Sequence, residues 1–225
     1  DLGLGSKSTI YIDKTLDTSS APIFTIAGGT LDGTANSYWN LADSTAGIGF
    51  TEDELDPATS VTNGFSYYAK IRWNNITAWG KLFDWGKDAN DKHIRASTYG
   101  NSNYISFYVP DNSNSANYIQ TSSGTVETGV DNNWLFTVTS NGLMTIYKDN
   151  VILTQTQKTF DNTITDRTNF YIGKCHWNQP MFDGSITNIK IWNSAVDWNT
   201  AHNYVPNPNA GVSYLNTIGY SDDEI

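Results

Sequence analysis

The sequence predicts an all-β protein in which two antiparallel sheets pack face to face as a jelly-roll sandwich. Three observations lead to this prediction. Short runs of β-branched and aromatic residues recur along the chain, tight-turn dipeptides separate them, and the helical period of apolar residues is weak throughout. A chain of 225 residues is also long enough to form one large sandwich domain, residues 1–225, with a buried core.

The expected strands follow one another from the N-terminus. The early ones are "STIYID", "APIFTIA", "FSYYAKIRW", "KLFDWG" and "YISFYVP". The clearest hairpin comes later: residues 135–139 lead into Asn141-Gly142, and residues 143–148 leave that turn. Asn and Gly both tolerate positive φ, which the tight turns of hairpins require. Asp149-Asn150 then turns the chain into a third strand, so this region is expected to be a meander.

The segment "SITNIKIW" departs from strict alternation. Ile189 and Ile191 share one face of the expected strand, whereas Ile186 and Trp192 share the other. Two explanations are open: both faces of the strand are buried, or a β-bulge lies near Thr187.

One short helix is expected after this strand, over residues 197–204, ending before Pro206. The tail 206–225 still carries apolar residues such as Tyr214 and Ile218. We therefore expect it to pack on the body of the domain, whose core spans about residues 37–205.

Charge limits the partners. Lys and Arg number 13 against 23 Asp and Glu, which gives a net charge of −10. Nucleic acids and anionic membrane surfaces select for clustered positive charge, so neither is an expected partner. No apolar stretch is long enough for membrane insertion. An acidic polysaccharide would be repelled at long range, although a local basic patch could still bind one.

Cys175 is the only cysteine, so stability must come from packing and not from an internal disulfide. The chain begins at Asp1 and not at Met. We interpret it as a domain of a larger protein or a processed chain, located outside the cell, on the cell surface or on a virion surface.

Two segments resemble the laminin-G-like, concanavalin A-like lectin/glucanase jelly-roll family. The first is "NNWLFTVTSNGLMTIYKDNVI", in which Trp134, Tyr147 and Asp149-Asn150 occupy the places of the family's Trp-led hairpin. The second is "FYIGKCHWNQPMFDGSITNIKIWNSAV". The resemblance covers about residues 37–205 and implies a concanavalin A-like sandwich. This fold carries lectins, adhesion modules, enzymes and viral surface domains, so function must be argued from sites.

Calcium is the one cofactor that the sequence suggests. One turn region offers four oxygen ligands, from Asp84, Asp88, Asn90 and Asp91, and Asp43 could supply another. The spacing is not that of an EF-hand, and a solvated hairpin loop is the alternative. Thr187 and Asn188 stand where many members of the family carry acidic residues, which argues against a calcium site there.

The loop after the strand "NFYIGK" has the residue types of a sugar site. Trp177 could stack on a sugar ring together with Trp85, and Asn178 and Gln179 could bond to hydroxyl groups. His176 could add pH sensitivity. In the alternative, Trp177 packs against the end of the sandwich and the polar residues face water.

Catalytic motifs are not found. Glu54 and Asp56 resemble the Glu-x-Asp core of laminarinase-type glucanases, but Pro57 and Ala58 follow, which breaks the required strand of alternating carboxylates.

A lyase reading fails as well, because no Gln-x-His occurs and His93, His176 and His202 lie far apart in the sequence. Adjacent residues on a strand point to opposite faces, so Cys175 and His176 are not an expected catalytic pair. We expect Cys175 to be a buried, inert thiol.

The sequence therefore favours a non-catalytic recognition module. It would be the carbohydrate-binding or adhesion domain of a larger extracellular or virion-surface protein, with a glycan or cell-surface polysaccharide as its partner. Two alternatives stay open. The chain could be a structural module that contacts other subunits of an assembly, or a glycan-cleaving enzyme on the same fold.

Overall fold

The computed structural model describes residues 8–12, 22, 24–32, 37–41, 63–86, 93–110, 117–160, 167, 169–206, 211–215 and 218–219. This part of the chain forms fifteen strands and one short helix. The strands are β1 (Ser8–Ile12), β2 (Phe24–Asp32), β3 (Ser37–Asn40), β4 (Gly64–Trp73), β5 (Lys81–Gly86), β6 (Ile94–Thr98), β7 (Ile105–Tyr108), β8 (Tyr118–Gln120), β9 (Asp131–Thr139), β10 (Leu143–Lys148), β11 (Val151–Gln157), β12 (Asn169–Ile172), β13 (Gly184–Trp192), β14 (Gly211–Leu215) and β15 (Ile218–Gly219). The helix, α1, spans Trp198–Asn203.

The strands form two sheets. The larger has the order β11-β10-β9-β4-β13-β2-β1-β14, and the smaller has the order β15-β3-β12-β5-β6-β7-β8. All the strand pairs are antiparallel. The predicted two-sheet antiparallel sandwich is confirmed. After α1 the chain rejoins both sheets, because β14 pairs with β1 and β15 pairs with β3.

Aromatic side chains from both sheets form the core. Phe65 and Tyr67 of β4 meet Phe83 and Trp85 of β5, with ring centroids 4.3 Å apart for Tyr67 and Phe83 and 5.2 Å for Phe65 and Trp85. All four are buried. Burying a large apolar side chain contributes about 2 kcal/mol to the free energy of unfolding. Packing in this aromatic layer therefore holds the two sheets together.

The meander forms as the sequence predicts. Strand β9 pairs with β10, and β10 pairs with β11. Asp149 and Asn150 both have positive φ, 46° and 67°, as a type I′ turn demands. Gly142 has φ +92°, and a Cβ there would lie 1.9 Å from the Lys158 carbonyl oxygen, so only glycine fits.

Both explanations offered for the irregular strand are correct. The pairing of β13 with β2 shifts register between Thr187 and Ile189, and Asn188 at the shift has φ +53°. The bulge lets Ile186 and Ile189 both reach the central core. Trp192 packs in a second cluster, on the other side of the strand.

Helix α1 covers the outer face of the larger sheet. The Asp197 side chain accepts a hydrogen bond from the Thr200 amide at 2.8 Å and so caps the helix. The second cluster lies beneath it, and we name this surface the helix-covered face; its buried residues are Tyr68, Leu135, Trp192, Val196, Trp198 and Ala201. No helix in the described part of the chain is both long and apolar enough to cross a bilayer.

Candidate functional site

The outer face of the smaller sheet carries the candidate site. A register shift between Lys81 and Phe83 in β5 sets the direction of the side chains. Lys81 and Asp84 therefore point outward, while Phe83 and Trp85 point into the core. A bulge of this kind redirects one side chain without breaking the strand.

Strand register extends this face into a row. Asp84 lies opposite Arg95 of β6 on one side and opposite Tyr171 of β12 on the other. Because side chains at paired positions of adjacent strands point to the same face, the row continues outward from both. We name it the outer row; its members are Tyr171, Asp84, Arg95, Tyr108 and Tyr118.

The segment between β12 and β13, residues 173–183, folds over the outer row, and we name it the covering loop. The Gly173 amide donates to the Leu82 carbonyl oxygen at 3.1 Å, and the Phe182 amide donates to the Gly173 carbonyl oxygen at 3.0 Å. These bonds fix the two ends of the loop next to each other. Phe182 is buried against Trp73, which anchors the loop in the core.

A carboxylate and two histidines meet beneath the covering loop. His93 donates from Nδ1 to Asp84 Oδ1 at 2.6 Å, and His176 Nδ1 lies 3.7 Å from Asp84 Oδ2. The centroids of the two imidazole rings are 4.6 Å apart. Burial alone would raise the pKa of Asp84, but the two histidines lower it to about 2, so the carboxylate is ionised at neutral pH.

Arg95 lies between two aromatic rings. Its guanidinium carbon is 4.3 Å from the centroid of Tyr108 and 4.7 Å from that of Trp177. The side chain is half-buried, and it has no hydrogen-bonded or ion-paired acceptor among the residues that the structure describes. The N–H groups of a guanidinium stacked in this way can donate hydrogen bonds to an anion.

Two lysines add positive charge to this face. Lys81 donates from Nζ to the Trp79 carbonyl oxygen at 2.9 Å and to Gln179 Oε1 at 2.8 Å, and burial lowers its pKa to about 8. Lys174 Nζ lies 4.3 Å from the centroid of the Tyr38 ring. The outer face of the smaller sheet therefore has a local basic patch on a chain whose net charge is −10.

A family model described as the concanavalin A-like lectin/glucanases superfamily matches residues 43–201. The chain belongs to this superfamily. The resemblance drawn from the hairpin and from the segment that contains the covering loop is confirmed. No curated protein matches the sequence.

Solved structures share the fold at low identity. The K499G mutant of NanB sialidase from Streptococcus pneumoniae is 17% identical with a TM-score of 0.63, over 84% of this chain and 29% of that one. The CBM40 of Ruminococcus gnavus IT-sialidase, bound to α2,3-sialyllactose, is 12% identical with a TM-score of 0.61, over 80% and 95%. Trypanosoma rangeli sialidase in complex with sialic acid is 13% identical with a TM-score of 0.54, over 87% and 32%. At these identities the likeness shows the fold alone, and the chain spans less than a third of either sialidase.

In this superfamily member, the sequence-predicted ligand residues separate. His176 and Trp177 lie over the outer row, and the Trp177 ring is 4.6 Å from that of His93. The side-chain oxygen of Gln179 accepts a hydrogen bond from Lys81, and Asn178 is exposed. Trp85 requires a correction, since it is 1% exposed in the core and cannot stack on a ligand.

The remaining predicted residues fall into two groups. Cys175 is a buried free thiol that donates to the Trp177 carbonyl oxygen at 3.0 Å, and burial raises its pKa, as expected for an inert thiol. Apart from Asp84, the acidic residues proposed for calcium or catalysis lie outside the described residues. They are Asp43, Asp88, Asp91, Glu54 and Asp56.

Sequence reasoning missed the grouping of Asp84, His93 and Arg95 with the covering loop. One signal was present, because Asp84 is a charged residue between the aromatic residues Phe83 and Trp85. Such a residue marks the outward face of the strand.

Proposed function

We propose that the chain is a non-catalytic carbohydrate-binding module whose ligand surface is the outer row together with the covering loop. The observation that carries this proposal is Arg95, half-buried between Tyr108 and Trp177 and without an acceptor among the described residues. A guanidinium binds a carboxylate through two parallel hydrogen bonds. The exposed part of the Trp177 ring offers flat apolar surface to the sugar, whereas Tyr108 is buried and supports Arg95 from below.

The ligand class that fits is an acidic glycan, such as a sialylated oligosaccharide. Its carboxylate would pair with Arg95, and Lys81 and Lys174 would add favourable potential. The CBM40 bound to sialyllactose supports the proposal, because this fold accounts for 95% of that chain. Since the net charge of −10 repels anions at long range, affinity must come from these local contacts.

The acidic residues of this face argue against hydrolysis of a glycan by the two-carboxylate mechanism. Glycoside hydrolysis commonly uses two carboxyl groups on either side of the scissile bond. Asp84 is the only carboxylate in the described part of the outer row, and it already accepts a hydrogen bond from His93. We further propose that the module works within a larger extracellular or virion-surface protein.

Calorimetric titration with 3′-sialyllactose and with lactose tests the proposal. We expect the wild-type chain to bind sialyllactose and not lactose, and Arg95→Gln to weaken binding at least about tenfold, the usual effect of losing a charged hydrogen bond. Arg72→Gln is the matched control, because Arg72 is exposed on the outer face of the other sheet. It should bind like the wild type.

Two outcomes would count against the proposal. Equal affinity for lactose and sialyllactose would remove the acidic sugar as the ligand class. Absence of binding to both, followed by a negative glycan array, would favour the structural-module alternative. Repeating the titrations with calcium and with EDTA tests Asp43, Asp88 and Asp91, whose calcium site stays a prediction.

A further inference from the structure

His176 is a buried imidazole without a partner. Its side chain is 4% exposed, yet neither ring nitrogen has a hydrogen-bond partner among the described residues. Asp84 Oδ2 lies 3.7 Å from Nδ1 of this ring, which is too long for a hydrogen bond. Buried polar groups are nearly always satisfied, so an orphaned imidazole next to an ionised carboxylate indicates a missing ligand.

The surrounding donors are those of a transition-metal site. Asp84, His93 and His176 each offer one ligand atom, and these atoms lie within 4.8 Å of one another. They come from three places in the fold: strand β5, the residue before β6 and the covering loop. We propose that Asp84, His93 and His176 bind one divalent transition-metal ion, of which Zn²⁺ fits best.

Donor chemistry selects zinc over calcium. Two imidazoles and a carboxylate are common zinc ligands, whereas calcium takes six to eight oxygens. Ligand distances of about 2.0–2.1 Å place the donor atoms of a tetrahedral site about 3.3 Å apart. The separations of 2.6 Å for His93 and 3.7 Å for His176 from Asp84 lie on either side of that value. Binding therefore requires two adjustments: the His93 Nδ1–Asp84 Oδ1 hydrogen bond opens with loss of the Nδ1 proton, and the His176 ring rotates towards Asp84.

The metal would join the covering loop to the sheet. His176 precedes Trp177, whose ring lies against both His93 and Arg95. An ion held by residues of the loop and of the sheet therefore fixes the loop over the outer row. The site stands independently of whether the chain binds a glycan.

Zinc binding to the untagged full chain tests the inference. Protein stripped with EDTA and dialysed is titrated with Zn²⁺ against a chromophoric chelator, and bound metal is counted by elemental analysis. We expect one zinc ion per wild-type chain and a rise in Tm on binding. His176→Gln should weaken binding by at least about a hundredfold, because it leaves two of the three ligands.

His202→Gln is the matched control, since His202 lies on the helix-covered face. It should bind zinc like the wild type. Binding of Co²⁺ should give the visible absorption of a tetrahedral site in the wild type and not in His176→Gln. Two outcomes would overturn the inference: no stoichiometric zinc in the wild-type chain, or equal affinity in the wild type and His176→Gln.

Discussion

The two outer faces of the sandwich bury similar polar residues but differ in how many of these residues have hydrogen-bond partners. Each has a lysine whose pKa burial lowers to about 8, Lys190 on the helix-covered face and Lys81 on the other. On the helix-covered face, Lys190 donates to the carbonyl oxygens of Ala201 at 2.8 Å and His202 at 3.2 Å. The face under the covering loop instead leaves Arg95 and His176 without hydrogen-bond partners in the described part of the chain.

This difference shows what distinguishes a candidate site from a structural cluster. A buried cation with a lowered pKa occurs on both faces, so it does not mark function by itself. On the helix-covered face, protein groups satisfy the titratable side chains: Tyr68 Oη bonds to both Asn133 and His202 at 2.9 Å. On the other face, Arg95 and His176 lack such partners among the described residues, which supports the proposed role in binding.

Trp198→Ala should give the largest effect. It removes a nearly buried indole that packs on Tyr68 beneath α1, and the expected loss in the free energy of unfolding is about 4 kcal/mol. Trp177→Ala is the matched change on the other face, where the ring is half-buried, and it should cost less. Urea denaturation measures both. Equal losses would mean that the covering loop is as structural as the helix.

Asp84→Asn comes next, with an expected loss of about 3 kcal/mol at pH 7, because it replaces the buried carboxylate that accepts the hydrogen bond from His93. The pKa of Asp84 is about 2 in the folded state and 3.8 ordinarily, so its contribution is complete above about pH 4 and is lost as the pH falls towards 2. The difference between wild type and variant should therefore shrink by about 2 kcal/mol in acid. Urea denaturation in EDTA at pH 7, 4 and 2.5 checks this, and a difference that does not depend on pH would contradict it.

Lys190→Met tests the lysine of the helix-covered face. Burial lowers the pKa of Lys190 from 10.5 to about 8, so between these values the unfolded chain binds more protons than the folded one. Wild-type stability should therefore rise relative to the variant from pH 7 to 9.5. Partial access of water to the ammonium reduces the gain to about 1 kcal/mol. Thermal unfolding of both proteins measures it; a wild type that weakens relative to the variant would refute the sign.

Tyr68→Phe should have the smallest effect. It removes the hydroxyl that bonds to Asn133 and His202 and keeps the ring against Trp198. The expected loss is about 1 kcal/mol by urea denaturation, with ligand and zinc binding unchanged. Any change in either binding reaction would show that the two faces are coupled.

Local features of the fold could be predicted from the sequence. The turn at Asn141-Gly142, the irregularity at Thr187 and the helix after Asp197 each depend on a few neighbouring residues. The prediction that Trp85 stacks on a ligand is wrong, because Trp85 shares the inward face of β5 with Phe83. Only the register of β5 decides between these two positions.

The candidate site could not be predicted in the same way. His176 and Asp84 are 92 positions apart, and only the pairing of β12 with β5 and the return of the covering loop bring them together. The basic patch has the same origin, since Lys81, Arg95 and Lys174 come from two strands and the loop. The net charge of −10 is a sum over the whole chain, so it does not reveal a local patch of positive charge.

The two ends of the covering loop are hydrogen-bonded to each other, which affects how the loop sequence can vary. The Phe182 amide bonds to the Gly173 carbonyl oxygen at 3.0 Å, so the loop leaves and rejoins the sandwich at one point. A segment with adjoining ends can be exchanged as a cassette, because a replacement of different length need not move either sheet. Residues 174–181 can therefore vary in length and composition while the scaffold stays the same.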